Sequence, residues 1–384
     1  MKELLEELHA LQNEVVNIVS SIPEKNHQQQ FHPDLSPIGW HLGHCVYTES
    51  YWIREQLLGQ QAIDDSLKSL YVPELSHKPS RSSALPEKTE LLYWAKQHQA
   101  ENRDLLVSEI LKKNSHHLLE KNYLIHFLIQ HYSQHIETIH MVLTEMQLQL
   151  LNTEFATVKK LMPKKLIPKT QTIAADTYNI GSNKKELAYD NEQPAHSVRL
   201  NSFKISTRPV SNGEYLQFIS DGGYTAKECW SNEGWQWINA TQYKHPHHWR
   251  LDKNSIYYGV DHNGVYSLEE NDPVYGLSYY EAEAFAKWNG ARLPHEHEWE
   301  AAATNNCLEQ SSLTWEWCNN TFYPYKNFSA YPYEGYSVPY FDGEHYVLRG
   351  ASKYSKERIK RVSFRNYYNA DKRHIFAGVR LVFN

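Results

Sequence analysis

Up to about residue 150 the apolar residues of this chain recur every three or four positions, and beyond about residue 175 they do not. The repeat runs through "LLEELHALQNEVVNIV", "WHLGHCVYTESYWIREQLL", "ELLYWAKQHQAENRDLLVSEIL" and "YLIHFLIQHYSQHIETIHMVLTEMQLQLL", and that period is the mark of amphipathic helices. Four such helices, separated by turn-rich stretches such as "SSIPEKNHQQQFHPDLSP", "YVPELSHKPSRSSALPEK" and "KKNSHH", predict a four-helix bundle over residues 1–152. Lysines and prolines in "NTEFATVKKLMPKKLIPKTQTIAA" break the period, so residues 153–175 read as a linker. Residues 176–384 form a second domain in which short β-rich pieces dominate and only "SYYEAEAFAKWNG" and "HEHEWEAAA" look helical. The chain is therefore expected to be α+β, with its helices gathered at the front.

A formal charge of −6, from 39 basic and 45 acidic residues, comes with no dense Lys/Arg stripe, which argues against nucleic acid as a partner. The first helix is too interspersed with acidic residues to be a signal peptide, and no run of about 18 apolar residues is present to span a membrane. A cytoplasmic protein with no membrane partner is the expectation. Cys45, Cys229, Cys307 and Cys318 are scattered without a CxxC pair, so reduced thiols are expected.

Chemistry is most visible in the fourth helical segment. His131 and His135 are four residues apart, which places two imidazoles on one helix face. Metal sites in bundles draw their ligands from facing helices, and the second segment offers His41 and His44 in "SPIGWHLGHC". Three apart, only one of these two is expected to share the direction of the His131/His135 pair. A three-histidine centre leaves coordination positions open, and neutral imidazole suits iron, copper or zinc. Against this stands the plain alternative that two histidines four apart arise on many amphipathic helices.

The second domain is rich in Trp and Tyr, which total 11 and 27 in the whole chain. Such rings can simply fill a loop-rich core. They can also cage a quaternary ammonium, and Arg365, Asn366, Tyr367 and Tyr368 place a cation, an amide and two rings in succession.

The first domain resembles DinB-like four-helix bundles, in which one helix supplies a single histidine and a later helix an HxxxH pair. The second, through "DNEQPAH", "RLPHEHEWEAAA", "WEW" and "FAGVRLV", resembles the formylglycine-generating-enzyme fold, a C-type-lectin-like domain. In this order the two are similar to the EgtB-type sulfoxide synthases of ergothioneine biosynthesis. The resemblance implies Fe(2+) held by His44, His131 and His135, with His41 as a flanking residue. It implies Gln134, Asn366, Tyr367 and Tyr368 as contacts to hercynine (Nα-trimethylhistidine), and Tyr323 or Tyr325 as a proton donor. Arg81 and Arg373 are the matching candidates for the carboxylates of a thiol substrate, either cysteine or γ-glutamylcysteine, with O2 as co-substrate. Selenoneine synthases, which use a selenosugar donor, share this architecture, and a non-catalytic binding protein with a lectin-like domain is the unlike alternative. Two departures stand out. Tyr132 occupies a place where relatives carry an acidic residue, and no cysteine follows Cys318, so the active-site cysteine pair of the formylglycine-generating enzymes is absent.

Overall fold

The structure, a computed structural model, describes residues 1–60, 65–112, 115–150 and 155–383. It divides into two compact units, Met1–Gln149 and Leu150–Asn384. No helix among the described residues is long and apolar enough to cross a membrane.

In the first unit, α1 (Lys2–Ser21), α2 (Ile38–Ser50), α3 (Asp65–Tyr71), α4 (Lys78–Ala84), α5 (Lys88–Leu111) and α6 (Tyr123–Gln149) follow in order. The four helices read from the apolar repeat are α1, α2, α5 and α6, and each of α1 and α2 packs on both α5 and α6. On α1 the buried face is Leu8, Leu11, Val15, Val16 and Val19, the three-and-four spacing that buries one stripe of a helix. Past Ser50, α2 runs on into a wider π-helical turn over Tyr51–Leu57, so the whole apolar segment is helical as expected. The short helices α3 and α4 interrupt a stretch whose proline and serine content reads as turns. A proline sits in the first turn of α4, where its missing N–H costs no helical hydrogen bond.

The interior of this bundle is not wholly apolar. Glu49 on α2 accepts hydrogen bonds from Gln12 Nε2 at 2.8 Å and from the Tyr132 hydroxyl at 2.9 Å, and Gln99 Nε2 donates to the same hydroxyl at 3.1 Å. Tyr132 therefore holds up a polar seam of the core, which accounts for a phenol beside His131 where an acidic residue was expected. Burial, opposed by its hydrogen bonds, pushes the Glu49 carboxyl up to about 7. The folded chain then keeps a proton that the unfolded chain releases near the ordinary value of about 4.3. Unfolding releases that proton between those two values, so this group lowers stability as pH rises from about 4.3 to about 7 and adds no further slope above. Helical melting curves at pH 5 and pH 7.5 are expected to show this loss in the parent chain and a shallower pH dependence in Glu49→Gln. Parallel pH dependence in the two would show that Glu49 does not hold the proton.

The second unit is built from short elements. In order these are β1 (Thr170–Ile173), β2 (Asp176–Ile180), β3 (His196–Leu200), β4 (Phe203–Ser206), α7 (Asn212–Ser220), α8 (Asn232–Thr241), β5 (Trp249–Leu251), β6 (Tyr257–Asp261) and β7 (Gly264–Tyr266). They continue as α9 (Tyr279–Trp288), α10 (Glu296–Thr304), β8 (Thr314–Thr321), β9 (His345–Ala351), β10 (Asn366–Asn369), β11 (Ala377–Gly378) and β12 (Val382–Phe383). The sheets run β1-β4-β12, β10-β9-β8-β11, β2-β3 and β5-β6-β7, all antiparallel except for β11 against β8. The segment read as a linker begins at residues that are not described, 153 and 154. Farther on, however, it belongs to this unit: Leu161 is buried, and Thr170–Ile173 pairs with β4. Its lysines and prolines mask the strand in a composition-based reading. Helices α9 and α10 lie where the sequence placed them. Helices α7 and α8, of similar length, were not read, although Ser211 and Glu214 form a capping box around the start of α7, a signal visible in "SNGE".

Elements this short bury little apolar area each, and the unit is tied together by buried arginine–carboxylate pairs. Arg380 grips Glu316 at 2.6 and 2.7 Å, Arg365 grips Glu296 at 2.7 and 2.8 Å, and Arg373 grips Glu281 at 2.8 and 2.9 Å. Arg349 pairs with Glu300 and Arg361 with Glu192. Two-point grips of this kind fix direction as well as distance.

Candidate metal centre

Helices α2 and α6 bring His44, His131 and His135 together, with one donor nitrogen of each ring within 4.8 Å of the others. The Nε2 atoms of His44 and His131 are 3.1 Å apart. Two nitrogens each about 2.1 Å from one cation, at right angles to one another, stand about 3.0 Å apart, so this spacing fits a shared metal ion. Burial pushes all three imidazoles down, His44 to about 4 and His131 and His135 well below their ordinary value, and neighbouring histidines add to the effect on the latter two. They are thus neutral at physiological pH, the form that binds metal. Three neutral nitrogens and no carboxylate make a donor set for iron, copper or zinc.

The surroundings of His44 explain its orientation. Its Nδ1–H donates to the Tyr71 carbonyl at 2.7 Å, which leaves the Nε2 lone pair toward His131. The Trp40 indole stacks on the imidazole, with centroids 4.7 Å apart and planes 10° from parallel. Tyr71 comes this close because residue 43 is glycine: a Cβ there would lie 2.2 Å from its ring carbons. Gly43→Ala is therefore expected to displace Tyr71, release the hydrogen bond to His44 and weaken metal binding by roughly tenfold or more, the effect of losing a ligand's outer partner. Fe(II) titration checks this, and an unchanged affinity would remove Tyr71 from the site. His131 has no such support, since its Nδ1 is buried without a partner among the described residues.

Arg81 lies on α4, buried, with its guanidinium 3.8 Å above the Trp40 ring. It donates to Ser36 Oγ, the Pro73 carbonyl and the Ser76 carbonyl. Arg373 is held by Glu281 and also donates to the His245 carbonyl. Internal acceptors thus hold Nε and both terminal nitrogens of Arg81 and hold Nε and Nη2 of Arg373. Arg81 braces Trp40, and Arg373 ties α9 to the segment after β10.

The run from Arg365 to Tyr368 divides by strand alternation. Arg365 turns inward to Glu296 and the Asn191 carbonyl, so it does not offer the open cation that its position suggested. Tyr367 also packs inward, stacked on Phe322 at 4.1 Å and donating to the Tyr336 carbonyl at 2.8 Å. Asn366 and Tyr368 share the opposite face of β10. Gln134, next to His135 on α6, is half-buried. Tyr323 and Tyr325 follow β8. The Tyr325 ring is buried over Arg365, its hydroxyl 3.5 Å from Glu296. Tyr323 is half-buried, its hydroxyl 3.5 Å from Nε2 of both His295 and His297. Burial, with Glu296 adding to it, pushes the Tyr323 phenol up to about 12 and the Tyr325 phenol well above its ordinary value, so both are protonated at neutral pH. Trp40 and Tyr71 were not singled out from sequence; "WHLGH" carried the first, whereas a backbone carbonyl some 27 residues from His44 leaves no sequence signal.

A DinB superfamily model matches residues 7–139, and the model of the sulfatase-modifying factor enzyme 1-like domain matches residues 155–312 and 313–384. The hercynine oxygenase of Mycolicibacterium thermoresistibile is 26% identical over 100% of this chain and 95% of its own length. That of Mycobacterium tuberculosis is 34% identical over 51% of this chain and 56% of its own length. Ergothioneine biosynthesis protein 1 of Schizosaccharomyces pombe is 27% identical over 51% of this chain, and the match spans 28% of that longer protein. With more than half of its length matched by the second model, and that half preceded by a DinB bundle, the chain belongs to the sulfatase-modifying factor enzyme 1-like family and is a homologue of the hercynine oxygenases.

Proposed function

We propose that this chain is an iron(II)- and O2-dependent enzyme that joins carbon to sulfur, linking hercynine to a thiol, cysteine or γ-glutamylcysteine, as a sulfoxide. The observation that carries the reading is the convergence of His44, His131 and His135 in a bundle placed ahead of this family domain. The atoms balance: a ring C–H, a thiol S–H and O2 give the C–S bond, an S=O oxygen and one water. Iron bound by the three histidines would supply the one-electron chemistry that O2 activation needs.

The protein's own groups have the remaining tasks. His44, His131 and His135, as neutral imidazoles, would hold the ion and leave it room for substrates. Gln134, one residue from a ligand, is assigned to the bound hercynine, and Asn366 and Tyr368, on one face of β10, are assigned to its carboxylate and ammonium ends. Tyr367 contributes by packing that strand. A phenol proton, from Tyr323 or Tyr325, goes to the oxygen that leaves as water.

Phe in place of the donor tyrosine keeps the ring and removes one hydroxyl, so hercynine should still bind while sulfoxide formation falls by roughly 10²–10⁴-fold. Tyr323 is the expected donor because its hydroxyl meets only histidines, whereas that of Tyr325 is buried against Glu296. Product analysis of Tyr323→Phe and Tyr325→Phe checks this, and unchanged sulfoxide yield in both would exclude the pair. Oxygen uptake by the iron-loaded protein with hercynine and each donor in turn, a selenosugar included, tests the reading as a whole. Uptake that ignores hercynine would defeat it.

A further inference from the structure

His41, the other histidine of "WHLGH", is 4% exposed, and its Nδ1 lies 2.9 Å from Nδ1 of His135. One proton fits between two ring nitrogens at that distance, so one ring donates and the other accepts. The two arrangements differ in consequence. If His41 donates, Nδ1 of a neutral His135 is the bare nitrogen, its proton sits on Nε2, and the ring has no second lone pair for a cation. If His135 donates, its Nε2 is bare, and His41 must carry its own proton on Nε2.

We propose that His41 is a positioning residue that accepts the Nδ1–H of His135 and so holds that ligand in its metal-binding tautomer. The proposal rests on the three-histidine reading of the centre. It gives His135 what the Tyr71 carbonyl gives His44 at 2.7 Å, and together the two acceptors fix both ligand rings from their outer nitrogens. Nε2 of His41, the nitrogen that must then bear the proton, is buried with no hydrogen-bond partner among the described residues, a cost that cation binding at His135 has to offset. A carbonyl can only accept, whereas an imidazole can reverse its role. Binding of a cation at Nε2 of His135 removes that freedom and selects one of the two tautomer pairs.

The test uses Zn(II) as a diamagnetic probe on the full-length chain. Long-range 1H–15N spectra of the zinc-loaded protein are expected to show His135 protonated on Nδ1 and His41 protonated on Nε2. Zinc affinity, by competition with a chromophoric chelator, is then compared in three variants whose folding is checked by circular dichroism. His41→Leu has no acceptor and should bind zinc roughly 10–100-fold more weakly. His41→Gln, with its carbonyl one bond too far along, should resemble it. His41→Asn, whose Oδ1 falls near the place of Nδ1, should recover most of the affinity. A His41 proton on Nδ1 in the zinc-loaded protein, or equal affinity in the Asn and Gln variants, would overturn the proposal. Failure of the parent chain to bind zinc would instead overturn the centre itself, and the proposal with it.

Discussion

Replacing His135 with alanine is expected to abolish iron retention and turnover together. On the proposed reading the centre has three nitrogen donors and no carboxylate, so the loss of one would leave only two ligands for the ion. The change also leaves Nδ1 of His41 facing a cavity in place of its 2.9 Å partner. His140, on the same helix but outside the cluster, is the matched control, and His140→Ala should retain iron. Equilibrium dialysis with Fe(II) under anaerobic conditions makes the comparison. Iron held one per chain by His135→Ala would show that the ion sits elsewhere.

The second large effect is expected far along the sequence, at Glu296. This carboxylate is fully buried and receives Arg365 at 2.7 and 2.8 Å, Asn320 Nδ2 at 3.0 Å and Arg349 at 3.5 Å. Burial pushes its carboxyl up, yet Arg365 and Arg349 outweigh that and hold it down to about 2. Removing one partner of such a pair leaves buried guanidinium charge without compensation, a loss of about 3–5 kcal/mol. Glu296→Ala should therefore lower the melting point of the second unit steeply, followed by the fluorescence of the tryptophans concentrated there. The sign of the pH effect follows from the same shift. The folded state keeps the charge down to about pH 2 and the unfolded state only to about 4.3, so the contribution is complete above about 4.3 and is lost as pH falls toward 2. A Glu296→Ala variant that melts with the parent at pH 7 would show that the cluster does not hold this fold together. Arg365 also donates to the Tyr323 carbonyl at 2.9 Å, so a milder Glu296→Gln change should disturb the loop that carries both candidate tyrosines.

The bundle was legible because its signal is periodic. Leu8, Leu11, Val15 and Val19 bury one stripe of α1, and the same repeat gives α2, α5 and α6. The convergence of the three histidines was legible for a related reason: four-residue spacing on α6 fixes which rings can come together. What the chain itself could not decide was the choice between His41 and His44, because both face the interior and both approach a ring of the pair, His41 the ring of His135 and His44 that of His131. Family resemblance chose His44, and the structure shows why the other remains close by. The second unit was less readable. Its helices are about ten residues long, its strands are mostly shorter, and long-range Arg–Glu pairs such as Arg361 with Glu192 leave no local pattern. For the same reason the internal acceptors of Arg81, Arg365 and Arg373 could not be read. Sequence shows a charge but not the acceptors that surround it.

On the proposed reading, iron on the three histidines couples O2 consumption to the joining of hercynine and a thiol. The direct measurement is oxygen uptake by the anaerobically Fe(II)-loaded chain, with mass analysis of the product, in the presence of hercynine and cysteine or γ-glutamylcysteine, together and singly. One iron per chain is expected, with rapid uptake of one O2 per product only when both substrates are present and a product mass equal to both substrates plus one oxygen less two hydrogens. A chain that binds no iron, or one that takes up O2 equally well without hercynine and yields only the disulfide of the thiol, would contradict it.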